Sequence, residues 1–449
     1  VKKIDIKPLR KVVKEKIKAS EVLSPQELES VQEALIQSNA DLIVRGLLEE
    51  EAREELKNVV VREHAHVVRG NEDLVNYIVQ ETVGTGIIEE IINDDSITDI
   101  GYNGTDLIIE SNDVKEKYTG KTEISEDYIV RIVQKFANAN GKDFTPKNPI
   151  FDGKFKNIRI NAMHTTNTTT GTTMSLRVVR PKLALRKDNF SPFAPDYIYR
   201  LFEEVVKLKT NIVISGETGT GKTELQKLLA SFIPFKQRIV LIEDVAETFL
   251  KDMFPDKDIY PWITSPDISI TDLVKASLRN NPRWILVSET RGQEAYEMIQ
   301  AVLSGHHIIT TLHAINAKAI PKRLINMAKM GYSVSEEALE GDIRRYFDFG
   351  VHIQRVDFNN KIIRYLAEIV EFNEVEDRTI FKQRFVDGKF ICETGELSED
   401  LKARFEDDNV TVDFFPENQK HERIAASSGY ITRIPVTKKA TETLEGKEV

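Results

Sequence analysis

The stretch 211-NIVISGETGTGKTELQKLLA-230 decides how the chain is read. An apolar run stops at a serine, a glycine-rich loop follows, and Lys222 and Thr223 open a segment with helical periodicity. Gly216-Glu217-Thr218-Gly219-Thr220-Gly221-Lys222-Thr223 fits the pattern G-x-x-x-x-G-K-S/T. Its glycines let backbone N–H groups curl round phosphate oxygens without side-chain clash. The helix that follows, with Glu224 in its first turn, adds the positive end of its dipole. Lys222 is placed to reach β- and γ-phosphates and the Thr223 hydroxyl to hold Mg2+, so the expected ligands are ATP and Mg2+.

A metal–phosphate site also needs carboxylates at the ends of neighbouring strands. The run 238-RIVLIEDVAET-248 ends in Glu243 and Asp244 and adds Glu247, and 284-WILVSETRG-292 places Glu289 after an apolar run. At the C-terminal edge of a parallel sheet both groups face the phosphate loop. Glu289 is a candidate to position an attacking water or to hold Mg2+ through water, and Glu243 to act as the activating base. The plainer alternative is that strand-end acids cap helices. In 300-QAVLSGHHIITTLHA-314, His306 and His313 stand at the two ends of a strand rather than at metal-ligand spacing.

Outside this segment the composition is that of a soluble globular chain of two or three domains: 449 residues, 41% hydrophobic and 30% charged. A net charge of −10 argues against a nucleic-acid coat, and no direct sequence-specific nucleic-acid binding is expected. The single cysteine, Cys392, permits neither an intramolecular disulfide nor a cysteine metal cluster, as suits a reducing cytosol. No apolar run approaches the ~20 residues of a membrane span, and no signal-peptide core is evident. The N-terminal VKKIDIKPLRKVVKEKIKA sets eight basic residues against two acids. It reads as a solvated helical arm, or as a face for peripheral contact with anionic lipid or a membrane-bound partner.

Four segments are expected: a helical extension over 1–70, an α+β (PAS-like) domain over 71–190, a RecA-like α/β domain with a parallel central sheet over 191–416, and a mobile polar tail over 417–449. Ser24-Pro25-Gln26-Glu27 signals a helix start. ITDIGYNGTDLIIES alternates around the turn pair Asn103-Gly104. Helix is expected at 125–139, with strands at INAM and TTMSLRVV and a flexible threonine-rich loop between them. The proline-bearing 181–196 marks the main boundary. Beyond it VISG, RIVLIED, RWILVSE and HHIITTLHA alternate with helices, which predicts a parallel sheet covered on both faces.

The ordered series GETGTGKT, IEDVAET, LRNNPRWILVSETRG and SGHHIITTLHA resembles the traffic ATPases of type II and type IV secretion systems and type IV pili. Upstream, VGTGIIEEIINDDSITDIGYNG, FDGKFKNIRINAM and MSLRVVR resemble the N-terminal domain of the branch serving tight-adherence pili and related machines. The resemblance spans roughly residues 70 to 380. It implies a homo-hexameric ATPase at the cytoplasmic face of the membrane, partnered by an inner-membrane secretion or pilus platform protein. ATP would lie between two domains and beside a neighbouring subunit. The family's acidic box maps to Glu243, Asp244 and Glu247, its Walker B glutamate to Glu289, and its histidines to His306 and His313. Arg159 and Arg177 match its N-terminal-domain arginines, of a kind worth roughly 10³–10⁵ in rate; Arg279 and Arg291 are further candidates. The chain departs from the pattern at Pro282-Arg283, at Ser288-Glu289 and at 152-DGK-154. With no aspartate in WILVSE, Mg2+ would depend on Thr223, water and Glu289. A RecA-type nucleic-acid motor and a non-hydrolysing ATP-binding scaffold are the competing readings.

Overall fold

The computed structural model describes residues 23–424, apart from 40–41, 44, 47–48, 112–113, 121–123, 156 and 360, and also 433–435. The basic N-terminal stretch and most of the expected tail lie outside the described residues. The chain divides into two compact units, Val1–Val179 and Arg180–Val449.

In the first unit, α1 (Pro25–Ser38) starts at a capping box. The Ser24 hydroxyl accepts from the Glu27 N–H at 3.3 Å, and the Glu27 carboxylate accepts from the Ser24 N–H at 2.9 Å. With α2 (Glu50–Glu63) and α3 (Glu72–Thr82), α1 buries Leu35, Leu56, Val60 and Ile78 in one small core. Each such side chain contributes roughly 1.5–3 kcal/mol.

Strands β1 (Ile97–Tyr102), β2 (Leu107–Ser111), β3 (Lys115–Lys117), β4 (Ile150–Phe155), β5 (Ile158–Met163) and β6 (Thr173–Val178) form an antiparallel sheet in the order β3-β2-β1-β6-β5-β4. α4 (Glu126–Ala139) packs Ile129, Val133 and Phe136 against Ile100, Ile160 and Leu176 of the sheet. The threonine-rich segment does join β5 to β6, but it is fastened rather than loose. Thr172 is buried and gives its N–H and hydroxyl to Glu126 at 2.8 and 3.0 Å, and the Thr170 hydroxyl bonds the Asn103 carbonyl at 3.2 Å.

The second unit holds one sheet in the order β17-β16-β15-β14-β13-β12-β7-β11-β10-β8-β9. β7 (Ile212–Gly216), β8 (Ile239–Glu243), β9 (Ile259–Ile263), β10 (Trp284–Val287), β11 (His307–Leu312) and β12 (Phe349–Phe358) are joined in parallel. Alternate residues sort to two cores: Ile214, Leu241 and Leu286 to one face, Val213, Val240 and Ile285 to the other. This is why the strands read as unbroken apolar runs. α5 (Asp196–Lys207) and α6 (Lys222–Phe232) cover the first face, and α7 (Glu294–Leu303) and α8 (Ile320–Ala328) the second.

Sequence reading missed the antiparallel extension that continues from β12: β13 (Lys361–Glu371), β14 (Arg378–Val386), β15 (Lys389–Thr394), β16 (Lys420–Ile424) and β17 (Arg433–Pro435). β16 also corrects the expectation of a mobile tail from Glu417. Arg423 is buried, bonds Gln383 Oε1 at 2.6 Å and lies 5.4 Å from the Phe390 ring, so a polar-looking stretch is fixed by its arginine stem.

Candidate functional site

The phosphate loop joins β7 to α6. Gly216 has no room for a side chain, since a Cβ there would stand 2.6 Å from the Ile353 carbonyl of adjacent β12. Gly221 caps α6 at φ +100°, a left-handed conformation that permits the sharp entry into the helix. Thr220 is buried and its hydroxyl bonds the Glu217 carbonyl at 2.9 Å. Glu217 and Thr218 are exposed. Lys222 is buried, and its Nζ donates to the Gly216 and Glu217 carbonyls, both at 2.9 Å. Burial lowers its pKa, opposed by the nearby Glu289 charge.

Three strands deliver charge to the same edge. Two residues past β10, Glu289 is held on one oxygen by Arg291 Nη2 at 2.7 Å and on the other by His313 Nε2 at 3.1 Å. His313 follows β11, and the parallel register that sets Val287 beside Thr310 brings the two together. Arg291 Nη1 also reaches Asp244, after β8, at 3.3 Å. Burial pushes the Glu289 carboxyl up, but Arg291, His313 and Lys222 together hold it below its ordinary value, so it is a carboxylate. Lys222, Asp244, Glu289, Arg291 and His313 thus form one electrostatic group, and Glu247 adds to the field on Arg291.

Other predicted residues sit elsewhere. The Glu243 carboxylate is buried and accepts from the N–H groups of Glu247 and Thr248 at 3.1 and 3.0 Å; it shapes the turn that carries Asp244. Burial raises its pKa against those two bonds. Glu224 is bonded to Lys227 Nζ at 2.9 Å and to the Ala184 N–H at 3.3 Å, which ties α6 to the connector. His306 precedes β11 and bonds Ser304 and the Ala301 carbonyl. Because β11 runs about 20 Å at ~3.3 Å per residue, His306 and His313 cannot act at one centre. Arg279 likewise precedes β10, at the edge remote from the loop. Arg159 and Arg177 are direct neighbours across β5 and β6 in the first unit, and Arg177 Nε meets Asp99 at 3.0 Å.

Four residues gave no usable signal in the sequence. His352 on β12 is buried against the Ser215 hydroxyl, Nδ1 to Oγ 2.9 Å. Gln226 of α6 donates to the Val287 and Ile309 carbonyls at 2.9 and 3.0 Å, locking the helix to β10 and β11. Arg364 and Arg355 lie at the rim of the loop. Each is one polar residue in an ordinary strand or helix pattern, and its meaning depends on a partner far along the chain.

Among the described residues no group of three or more His, Cys, Asp or Glu side chains stands ready to hold a metal by itself. Thr223 in the first turn of α6 and the ionised Glu289 carry oxygen donors of the kind Mg2+ takes, with substrate phosphates completing such sites. No helix among the described residues is long and apolar enough to cross a membrane.

The fold and this site define a phosphate-loop α/β protein. A family model described as "Type II/IV secretion system protein" matches residues 147–343. An uncharacterised protein of Bacillus anthracis is 49% identical over 425 residues, 91% of this chain and 96% of that one. The type IV secretion system protein VirB11 of Brucella suis is 36% identical over 170 residues, 36% of this chain and 46% of its own length. Among solved structures, the ATPase DotB of Yersinia pseudotuberculosis matches with a TM-score of 0.51 and 17% identity, over 65% of this chain and 80% of that one, a likeness of fold alone. The chain belongs to the type II/type IV secretion-system traffic ATPase family.

Proposed function

We propose that this protein hydrolyses ATP as a homo-hexameric motor and couples hydrolysis to secretion, pilus assembly or conjugative transfer across the bacterial cytoplasmic membrane. One observation carries the reading: Glu289, ionised and fixed on both oxygens, shares one electrostatic group with Lys222 of the phosphate loop. In this reading the loop N–H groups cradle the phosphates, and Lys222 exchanges its two loop carbonyls for phosphate oxygens. Glu289, rather than Glu243, whose carboxylate is taken up by the Glu247 and Thr248 N–H groups, orients the attacking water and takes its proton, while Arg291 and His313 keep the carboxylate aimed. Thr223 and, through water, Glu289 would hold Mg2+, which when bound neutralises charge building on the phosphates.

Arg159 and Arg177 are proposed to supply transition-state charge to nucleotide held by a neighbouring copy. The RecA-like and PAS-like assignments of the two units belong to this reading, as does work at the cytoplasmic face beside an inner-membrane platform protein. Support comes from family membership and from the parallel strands that place the charged group.

Glu289→Gln tests the site. ATP affinity should stay within a few-fold of wild type while turnover falls at least about 10²-fold. Wild-type turnover in that variant, or a wild-type protein that does not hydrolyse ATP, would sink the proposal. Sedimentation of the full chain with a non-hydrolysable ATP analogue should show a six-subunit species, and a strict monomer at high concentration would remove the ring.

A further inference from the structure

The hairpin β12–β13 brings two arginines to the rim of the phosphate loop. Arg355 and Arg364 are directly opposite in the antiparallel register, so both side chains leave the same face with Cβ atoms roughly 5 Å apart. β12 is itself paired with β7, Ile353 beside Gly216, only two residues before Arg355. Arg364 Nε donates to the Gly219 carbonyl at 2.7 Å, and Arg355 Nη1 lies 3.4 Å from where a Cβ on Gly219 would stand. Two guanidiniums therefore converge on one residue of the loop.

Guanidinium groups bond phosphate oxygens through charge-assisted, often bidentate hydrogen bonds. Asp357 lies beside the two arginines, its carboxylate 4.0 Å from Arg355 Nε and largely exposed. A loop that wraps phosphate aims its N–H groups inward. Holding the Gly219 carbonyl by a charged donor steadies that arrangement, and the planar Nε–H of arginine suits a single directed bond.

We propose that Arg355 and Arg364 form a cationic jaw of the nucleotide site supplied by the same subunit. Arg364 is a positioning residue that acts through the Gly219 carbonyl. Arg355 bonds an oxygen of the phosphate chain beyond the α-phosphate. The jaw rests on the nucleotide reading above, but it differs from the Arg159 and Arg177 contribution because it shares a compact unit with the loop and needs no neighbouring copy.

Calorimetric titration of ATP, ADP and AMP into the dilute full-length chain tests it, with Arg355→Gln, Arg364→Gln and Arg364→Lys beside wild type. Arg355→Gln should weaken ATP and ADP about tenfold, some 1.4 kcal/mol, and leave AMP within twofold. Arg364→Gln and Arg364→Lys should both raise KM for ATP several-fold with kcat within about twofold, since lysine keeps the charge but not the planar donor. Equal loss for all three nucleotides in Arg355→Gln would make the residue structural and overturn the phosphate contact. Wild-type affinity in Arg355→Gln and wild-type KM in both Arg364 variants would overturn the jaw alone. Should Arg364→Gln fail to fold, Arg355→Gln and Arg364→Lys decide. A wild-type chain that binds no ATP would remove the nucleotide reading and the jaw with it.

Discussion

At the N-terminal edge of the parallel sheet, polar groups are tied largely to main-chain atoms of neighbouring turns and strands. Arg238 bonds Asp258 at 2.9 Å and the Asn280 carbonyl at 2.8 Å, and the Trp284 indole N–H reaches Gln237 at 2.7 Å. Asn211 gives its side-chain N–H to the Tyr346 carbonyl at 2.7 Å and accepts from the Ile308 N–H at 2.8 Å. At the C-terminal edge the groups are shared: Glu289 serves Arg291 and His313 at once, and Arg291 also serves Asp244. Bonds to main-chain groups hold strands in place and have little reason to change partner. A carboxylate shared by two side chains can trade one partner for a phosphate or a water without being stranded. The same sheet thus carries one edge that is tied down and one whose charges can regroup.

Breaking the N-terminal edge should hurt folding and spare chemistry. Asn211→Leu removes both side-chain bonds and leaves the buried Ile308 N–H and the Tyr346 carbonyl unanswered, so it should cost about 2 kcal/mol of stability in urea unfolding. The folded fraction should keep its kcat. A stable Asn211→Leu protein with abolished turnover would erase the division between the edges.

The two histidines sharpen the contrast, because they flank one strand. His313→Ala should lower kcat about tenfold by freeing one oxygen of Glu289, and His306→Ala should stay within twofold of wild type in steady-state assays. Equal losses would mean that position along β11 does not matter.

The smallest effect is on stability against pH. Burial, helped by the charges of Arg283 and Lys209, pushes the His307 ring from 6.5 down to about 4, and the ring lies 5.4 Å from that of Trp284. The folded state then binds fewer protons than the unfolded one, so this contribution is full above pH 6.5 and is lost as pH falls toward 4. Allowing for the partly exposed ring, the loss should be about 1 kcal/mol, and His307→Gln should flatten it in melting curves taken between pH 7 and 4.5.

Local signals made much of this legible. The capping box at Ser24, the Asn103-Gly104 turn and the glycine-rich loop are contiguous patterns whose partners lie within a few residues. Glu289 was also legible as a strand-end acid, and the two histidines as the ends of one strand, though not which of them meets Glu289. Glu243 was legible as a strand-end acid but not in its orientation, because which way a carboxylate turns depends on the N–H groups the following turn offers. Arg423 looked like part of a solvated tail because nothing nearby in the chain announces Phe390 and Gln383.

By itself, the sequence determined that a phosphate loop leads from a buried strand into a helix, that acids and histidines end the neighbouring strands, and that the chain belongs with the traffic ATPases. Only the tertiary structure decided which histidine reaches Glu289, where the buried Glu243 points, and that Arg364, 145 residues from Gly219, bonds its carbonyl. Backbone propensity and hydrophobic period act over one turn or one strand, whereas charge and hydrogen bonding act through space. The residues they join are chosen by strand order and register, which no local run of residues encodes.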